Sequence, residues 1–339
     1  MSQQNGEKSV RNRLRTNFWL APVLAAASLL HTPLYAQDVP KDYPNRPIEW
    51  IIPAAPGGGI DLFGRTVTRV LSEQGIVTQS FQITNKPGAG GAIGMAEMVQ
   101  RKGDINTLLG VALHVHLTPL LQGTPHSYKD MTPIAKLFAE YAMMVVRKDS
   151  PIKSLDDVVE AIKKDPGSIK FGGSTIGNTD HLTAANLAKV SGVDPRKITF
   201  VPYTGGESNA AILGGHVDVG MGGPDLIDLV TGGEMRVLGV ASPERLSGPF
   251  AELPTFKEQG YEVVTETWRG VFGPPAMPAA GVKYWQDALG KMVKTDAWRT
   301  ELTKNQWVDR FETESFPATL DREHEEFRKS LIELGLVAK

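Results

Sequence analysis

The sequence has 339 residues, with 36 lysine and arginine residues against 38 acidic ones, and it contains no cysteine. This near-neutral balance, without any block of lysine and arginine, argues against a nucleic-acid-binding protein. The lack of cysteine excludes disulfides and thiolate sites. A chain of this length usually divides into two domains of roughly 100–200 residues.

Residues 1–36 have the pattern of a secretory signal peptide. Four basic residues between positions 8 and 15 precede an apolar stretch at 18–30, which is too short and too rich in alanine for a comfortable membrane span. Ala36 supplies a small residue before the cleavage point, although Leu34 is bulkier than usual at its position. We therefore expect export to a bacterial periplasm with cleavage near Ala36; an uncleaved anchor is the alternative.

The chain then alternates between strand-like runs and helical patterns. An apolar run at 47–54 leads through the glycine loop PGGGID (56–61) into a helix that extends to residue 73, with apolar residues at i, i+4, i+7 and i+8. A strand at 81–85 leads through KPGAGG (86–91) into a second helix. Further strands are predicted at 107–113 and 141–147.

The second half continues this alternation. Ser154 and Asp157 form a predicted capping box for a helix that ends before Pro166. Strands are predicted at 169–172, 198–203, 217–221 and 235–241, and helices at 180–190 and 208–213. This pattern is typical of an α/β protein with mainly parallel sheets and helices on both faces. After an extended segment at 265–272, residues 281–335 are predicted to be helical with a break near 311–317, as a tail that completes the first domain.

Seven motifs together resemble the extracytoplasmic solute-binding proteins of tripartite tricarboxylate transporters, the TctC or Bug family. In chain order they are YPNRPI (43–48), PGGGID (56–61), NKPGAGGAIG (85–94), KDMTP (129–133), GSTIG (173–177) with His181, VPYTGG (201–206) and LPTFKEQG (253–260). Each motif is weak alone, but seven in the expected order are a specific signal.

The resemblance implies a two-lobed type II periplasmic binding protein, each lobe a mainly parallel sheet flanked by helices, with the ligand in the cleft between the lobes. Lobe one would comprise residues 37–140 and 265–339, and lobe two residues 141–264. The chain would cross between lobes near 140–146 and 265–271. The glycine loops at 56–61 and 85–91 would belong to lobe one, and the loops at 173–181 and 203–206 to lobe two.

The first candidate for ligand binding is the PGGGID loop, with Pro56, Gly57, Gly58, Gly59, Ile60 and Asp61. A glycine turn between strand and helix leaves backbone N–H groups unpaired at the positive end of the helix dipole, which suits a carboxylate without any arginine. Glycines that serve only a tight turn are the alternative. Asp61 should repel an anion, so we favour capping of its own helix over ligand contact, unless the ligand also carries an amine or hydroxyl.

The second glycine loop contributes Asn85 and Gly90 as candidate contacts. Its glycines superficially resemble a dinucleotide-binding fingerprint. The spacing is wrong for G-x-G-x-x-G, and an exported protein would not meet NAD. We therefore expect no nucleotide and no other cofactor.

Lobe two contributes hydroxyl-rich candidates. Ser174, Thr175, Gly177 and Thr179 lie before or at the start of a helix, where they either contact the ligand's second polar end or cap the helix. His181 in the first helical turn either donates to a carboxylate or stabilises its own loop. The resemblance adds Tyr203 from the VPYTGG loop.

Two histidines and two tryptophans complete the candidates. His114 and His116 alternate at the end of a predicted strand and would face one side of it. We favour a polar strand end near the cleft, with His114 as a ligand contact, over a metal pair, because no partner cluster at metal spacing accompanies them. Tryptophans such as Trp50 and Trp268 usually lie in the core. Trp268 is nevertheless a candidate to stack against an aromatic carboxylate and so form one wall of the binding site.

These observations predict a periplasmic binding protein, not an enzyme, that captures a small di-, tri- or aromatic carboxylate. It would act as a monomer, without metal, and present its ligand to membrane transporter subunits. A ligand-dependent sensor protein acting on a sensor kinase is the second hypothesis. The third is a secreted metal-dependent hydrolase built on His114 and His116, although the sequence has no G-x-S-x-G elbow and no thiol nucleophile.

Overall fold

A computed structural model describes residues 39–203 and 207–338 of the chain. The predicted signal peptide at 1–36 and residues 204–206 of the VPYTGG loop lie outside the described residues. Within the two described ranges, no helix has the length and apolar character that a membrane span requires.

Strands and helices alternate along most of the described chain. The first half contains β1 (Ile48–Ile52), α1 (Gly59–Glu73), β2 (Phe81–Asn85), α2 (Ala92–Val99), β3 (Thr107–Val111), α3 (His114–Gln122), β4 (Thr132–Tyr141), β5 (Met143–Arg147) and α4 (Leu155–Lys164). The second half contains β6 (Lys170–Gly173), α5 (Thr179–Val190), β7 (Thr199–Pro202), α6 (Glu207–Leu213), β8 (Val219–Gly222), α7 (Ile227–Thr231), β9 (Met235–Val240), β10 (Glu266–Gly273), α8 (Ala279–Met292), α9 (Asp296–Lys304), β11 (Val308–Glu312) and α10 (Phe316–Glu333).

The strands form two separate sheets, and the expected α/β architecture is confirmed. The first sheet has the order β11-β4-β10-β3-β1-β2, and the second has the order β7-β6-β8-β5-β9. Both sheets are mixed. Strands β1, β2 and β3 pair in parallel, as do β6, β7 and β8, whereas β4, β5, β9, β10 and β11 make antiparallel pairs. The chain crosses between the two sheets twice, from β4 to β5 and from β9 to β10.

Helices cover both faces of the first sheet, because its central strands alternate apolar side chains between them. Trp50 and Ile52 of β1 belong to a core that includes residues of α1, α8 and α9, among them Phe63 and Trp285. Ile51 belongs to a core on the opposite face, formed with α2, α3 and α10. The second sheet likewise has one core with α4 and α5 and another with α6 and α7.

Local signals predicted several elements with the correct bounds. The strand at 81–85 is confirmed. The capping box of α4 is also confirmed, because the Ser154 hydroxyl accepts from the Asp157 N–H and the Asp157 carboxylate accepts from the Ser154 N–H. This reciprocal pairing satisfies donors that the helix itself leaves unpaired.

Three predictions differ from the structure. The strand predicted at 141–147 is the end of one strand and the whole of the next, since β4 ends at Tyr141 and β5 begins in the other sheet at Met143. The helix α3 was not predicted, and its interior Pro119 explains why, because proline disfavours helix interiors. The predicted irregular break near 311–317 overlaps β11, which pairs with β4.

Candidate ligand-binding site

A cavity of about 570 Å³ lies between residues of the two sheets and their helices. The side of the first sheet contributes Gly57, Gly58, Gly59, Leu62, Glu140, Tyr141, Thr267, Arg269, Lys304, Asn305 and Trp307. The side of the second sheet contributes Ser174, Asn178, Thr179, Asp180, Tyr203, Ser208, Met221, Gly222, Gly223, Pro224, Asp225 and Ile227. At its base, the hydroxyls of Thr267 and Thr179 lie 3.2 Å apart, so β10 and the start of α5 are in direct contact.

The PGGGID loop presents unpaired backbone donors at this cavity. The Gly57 N–H donates to the Asp61 carboxylate at 2.9 Å, and Gly57 has a φ of +84°, which favours glycine. The first backbone bond of α1 runs from Leu62 to Gly58. Consequently the N–H groups of Gly58, Gly59 and Ile60 have no hydrogen-bond partner among the described residues. They lie at the positive end of the α1 dipole, which favours an anion.

Asp61 lies behind this loop and holds it in place. Besides the Gly57 bond, its carboxylate accepts from Arg65 at 2.8 Å and from the Asn85 side chain at 2.9 Å. Burial alone would raise its pKa, but the hydrogen bonds from Arg65, Gly57 and Asn85 lower the pKa of Asp61 to about 2. The carboxylate therefore stays charged and occupied. Its bond to Gly57 reaches the residue before Gly58, the N-cap of α1, so Asp61 braces the loop and does not cap the helix as expected.

The remaining candidates of the two glycine loops do not line the cavity. Pro56 is exposed at the loop edge, and Ile60 packs against the first core. Asn85 also donates to the Ala54 carbonyl at 3.0 Å, so it braces the PGGGID loop from the side. The Gly90 carbonyl accepts from Thr118 of α3 at 2.6 Å, which fixes the second loop to α3.

The hydroxyl-rich loop before α5 divides into cavity residues and bracing residues. Ser174 and Thr179 line the cavity, as does Tyr203 at the end of β7. Thr175 is exposed outside it. The Gly177 N–H donates to Nδ1 of His181 at 3.1 Å. Burial lowers the pKa of His181, which therefore acts as a neutral acceptor that stabilises its own loop.

The predicted tryptophan wall is wrong. Trp268 is fully buried, and its Nε1 donates to the Glu323 carboxylate at 2.6 Å. Side chains alternate across a strand, so Trp268 lies on the opposite face of β10 from Thr267 and Arg269, which line the cavity. Trp50 is also fully buried, against Phe63 and Phe81. The indole at the cavity belongs instead to Trp307.

The two histidines begin helix α3 instead of ending a strand. Residues two apart on a helix do not share a face, so His114 and His116 cannot act as the expected pair. His114 packs against Gly91, close enough to Arg269 that burial and that guanidinium lower its pKa to about 3. His116 is fully buried beside Tyr128. In the part of the chain that the structure describes, no three His, Asp or Glu residues are grouped to hold a metal ion.

Arg269 is a cavity residue that the sequence reading missed. It is 9% exposed, and its guanidinium donates to the Glu140 carboxylate at 2.8 Å and to the Trp268 carbonyl at 3.3 Å. Trp307 donates to the other oxygen of Glu140 at 2.9 Å. The available signal was an arginine inside the segment WRGVF (268–272), whose other residues are apolar or glycine, because a buried charge requires a partner.

Asp180 and Asp225 are acidic cavity residues that were also missed. The Asp180 carboxylate accepts from the Ser174 N–H at 2.8 Å, and the Asp225 carboxylate accepts from the Gly223 N–H at 3.0 Å. Burial raises the pKa of Asp180, the Ser174 hydrogen bonds offset part of this effect, and the nearby Asp225 raises it further. Neither residue interrupts a motif, so the sequence offered no signal for them.

Comparisons with known proteins agree with this geometry. The family model described as the tripartite tricarboxylate transporter family receptor, TctC, matches residues 64–325. A Cupriavidus necator relative, the UPF0065 protein in the gbd 5' region, is 32% identical over 289 residues, which cover 84% of this chain and 85% of the relative.

Solved structures show the same fold. A TctC solute-binding protein from Polaromonas, solved without ligand, is 29% identical with a TM-score of 0.73, and the match covers 86% of this chain and 100% of that one. The R. palustris protein Rpa4515, solved with adipate, is 25% identical with a TM-score of 0.73, covering 87% of this chain and 99% of that one.

The seven-motif resemblance is thereby confirmed over most of the chain. The matched family consists of transporter receptors, and the solved neighbour from Polaromonas is a solute-binding protein, not an enzyme. This chain, with its two mixed sheets and the cavity between them, shares its overall fold with those neighbours. The chain belongs to the tripartite tricarboxylate transporter receptor family, TctC.

Proposed function

We propose that this protein captures a small organic carboxylate in its cavity and delivers it to the membrane subunits of a tripartite transporter. The single observation that carries the proposal is the cluster of unpaired N–H groups at the N-terminus of α1, those of Gly58, Gly59 and Ile60, of which Gly58 and Gly59 line the cavity. Arg269 supplies a positive charge at the same wall. Amide donors and a guanidinium together form a site for a carboxylate.

The energy of such contacts is sufficient. A ligand bound at micromolar affinity requires about −8 kcal/mol. A charge-assisted hydrogen bond contributes about 1.5–3 kcal/mol net, so three or four bonds to one carboxylate account for most of that free energy. The adipate bound by Rpa4515, a relative with the same fold, supports a carboxylate as the ligand class.

The binding residues in this proposal are the candidates that reach the cavity. They are Gly57, Gly58, Gly59, Ser174, Thr179 and Tyr203, together with Arg269. The other candidates have supporting roles: Asp61, Asn85, Gly177 and His181 hold the two binding loops. His114 packs against Gly91 of the second glycine loop.

Residues 37–140 and 265–339 would form one lobe and residues 141–264 the other, and the lobes would close around the ligand. The protein would act in the periplasm as a monomer after cleavage near Ala36. The closed, liganded form would be the one that the transporter subunits recognise.

Mass spectrometry under non-denaturing conditions, on protein purified without unfolding, tests the ligand class directly. We expect an organic acid to be released on denaturation. Calorimetric titration of the dialysed protein with di-, tri- and aromatic carboxylates should then give a micromolar or tighter dissociation constant for at least one of them. Binding of sugars or cations with no response to any carboxylate would reject the proposal.

A further inference from the structure

The cavity and a second contact between the two proposed lobes lie on opposite faces of the sheets. Helix α1, which covers one face of the first sheet, and helices α6 and α7, which cover one face of the second, contribute Leu62, Ser208 and Ile227 to the cavity wall. Helices α3 and α10 cover the opposite face of the first sheet, and α5 covers the opposite face of the second. The second contact is made by these three helices, so it lies behind the cavity.

Helix α5 packs on its own sheet with one side and on the other lobe with another. Leu187 belongs to the core of the second sheet. Leu182 is 3% exposed and belongs instead to the core that includes Leu331 of α10, on the first sheet. In the loop before α5, Gly177 lies against α3, since a Cβ there would be 2.9 Å from both methyl carbons of Leu121. Apolar side chains therefore join the two lobes on this side.

An ion pair lies at the outer end of the same contact. The ammonium of Lys189 on α5 pairs with the carboxylate of Glu333 on α10, and both side chains are partly exposed. The two helices leave a void of about 10 Å³ between them, which is space for about one water molecule. The residues that we call the α5–α10 contact are Leu121, Gly177, Leu182, Lys189, Leu331 and Glu333.

The base of the cavity separates the ligand site from the α5–α10 contact. Thr179 at the start of α5 lies 3.2 Å from Thr267, and Lys189 follows ten residues later, about 15 Å along the helix. The two chain crossings adjoin this base, because Tyr141 at the end of β4 pairs with Glu266, the residue before Thr267. A rotation of the lobes about the crossings therefore brings the cavity walls together on one side and moves α5 away from α10 on the other.

We propose that the α5–α10 contact opposes closure of the lobes and thereby lowers the affinity for the ligand from outside the cavity. This inference rests on the proposed function, because it requires lobes that close on a ligand. Closure would separate Lys189 from Glu333 and would expose Leu182, so the contact stabilises the form in which the cavity is open. A protein binds its ligand more weakly in proportion as its closed form is less populated.

The charge reversal Lys189→Glu tests this proposal without a change in the cavity or the core. It replaces attraction to Glu333 by repulsion at an exposed position. Calorimetric titrations of the dialysed protein with succinate, adipate, citrate and benzoate would give the dissociation constants of the wild type and the variant. We expect the variant to bind whichever of these acids the wild type binds about three- to tenfold more tightly, the effect of about two exposed charge interactions.

Two further variants show whether the α5–α10 contact causes the gain. Lys189→Glu combined with Glu333→Lys forms an ion pair of reversed polarity, and it should return the affinity to the wild-type value. Lys163→Glu makes the same change of charge at an exposed position in the last turn of α4. It should leave the affinity unchanged, because it lies outside the contact. Damage to the fold would weaken binding, so a gain in affinity has no such explanation.

The outcomes separate the two proposals. Unchanged or weaker binding by Lys189→Glu, an equal gain in Lys163→Glu, or a gain that persists in the double variant would overturn this inference. The proposed function would then stand, since the wild type would still bind a carboxylate. Failure of all four acids to bind the wild-type protein would reject both proposals.

Discussion

At the scale of single residues, the alternation of β10 decides which side chains reach the ligand. Arg269 faces the cavity, while its neighbour Trp268 is buried on the opposite face. Glu140 holds the guanidinium, and Trp307 holds Glu140. This chain of contacts fixes a positive charge beside the amides of the PGGGID loop.

We predict that Arg269→Gln weakens carboxylate binding about 10- to 100-fold, because one charged hydrogen bond contributes about 1.5–3 kcal/mol. Calorimetry with the ligand identified by mass spectrometry would measure the loss. Arg299→Gln, at an exposed position of α9, is the control. A double variant, Arg269→Gln with Glu140→Gln, separates two possible causes of a loss. If it regains the affinity of the wild type for the ligand, the unpaired Glu140, and not the missing guanidinium, caused the loss.

Glu323 is a second residue whose environment has a measurable consequence. It accepts from Trp268, lies 4.0 Å from Lys136 of β4 and lies 3.8 Å from His116 of α3. Glu266 of β10 is paired with the same lysine. Burial raises the pKa of Glu323 to about 7, although Lys136 and Trp268 act against this. Burial and the neighbouring His324 and His114 lower the pKa of His116 to about 3, so that ring is neutral around pH 7.

The folded-state pKa of Glu323 lies above its unfolded value, so folding takes up a proton between about pH 4.5 and pH 7. Stability should therefore fall as pH rises through this window. We predict that at pH 8 the free energy of unfolding of Glu323→Gln, measured by urea unfolding, is up to about 3 kcal/mol higher than that of the wild type. At pH 4 the two proteins should differ little. Glu326→Gln, exposed on the same helix, should show no such pH dependence.

At the scale of elements, the close approach of α1 to β1 sets the position of the PGGGID loop. Gly64 permits this approach, since a Cβ there would lie 2.8 Å from Nε1 of Trp50 and 2.9 Å from Cδ1 of Ile52. Both side chains are fully buried and have little room to move. The helix therefore packs directly on the strand that precedes its own loop.

We predict that Gly64→Ala lowers the free energy of unfolding by about 1–3 kcal/mol, because overpacking outweighs the higher helix propensity of alanine. Gly290→Ala in α8 is the matched control. A Cβ there would meet Phe311 at an ordinary 3.5 Å, so the substitution should stabilise the protein by up to about 1 kcal/mol. Equal effects in urea unfolding would contradict this account of the α1–β1 contact.

At the scale of the whole molecule, the two sheets are joined by two chain crossings, from β4 to β5 and from β9 to β10, and they touch at the cavity. Ala142 alone separates β4 in the first sheet from β5 in the second. Thr267 contacts Thr179, and Gly177 packs against Leu121 of α3. Lys189 of α5 also pairs with Glu333 of α10, and Leu182 of α5 belongs to the same core as Leu331. The two chain crossings are the places where a hinge between the halves would act.

We predict that ligand binding contracts the molecule from an open form. Small-angle X-ray scattering should show a smaller radius of gyration when the cognate ligand is added to the dialysed protein. The value should approach about 19 Å, as expected for a compact chain of the roughly 300 residues that remain after cleavage near Ala36. Arg269→Gln at the same ligand concentration should stay expanded. An identical radius in the free and liganded wild type would exclude hinge closure on this scale.

The local elements and the family were readable from the sequence because their causes are local. Glycine turns, the Ser154 capping box and the apolar spacing of α1 depend on neighbouring residues, and they predicted β2, α4 and α5 within a residue or so. Elements whose identity depends on distant partners were missed. Strand β4 ends at Tyr141 only because the other sheet offers β5 its partners, and α3 forms despite Pro119 because it packs against the first sheet.

The candidate site likewise has some features that the sequence predicts and others that depend on the tertiary structure. By itself, the sequence determined the alternating α/β pattern and the glycine loops, whose exposed amides suit an acid, because backbone geometry and hydrogen-bond pairing follow from residues close in the chain. Only the tertiary structure decided that Arg269 and Asp180 face the cavity and that Trp268 does not. The physical reason is that the facing of a side chain, its burial and its charge partners are set by segments more than a hundred residues away, as Glu140 is for Arg269.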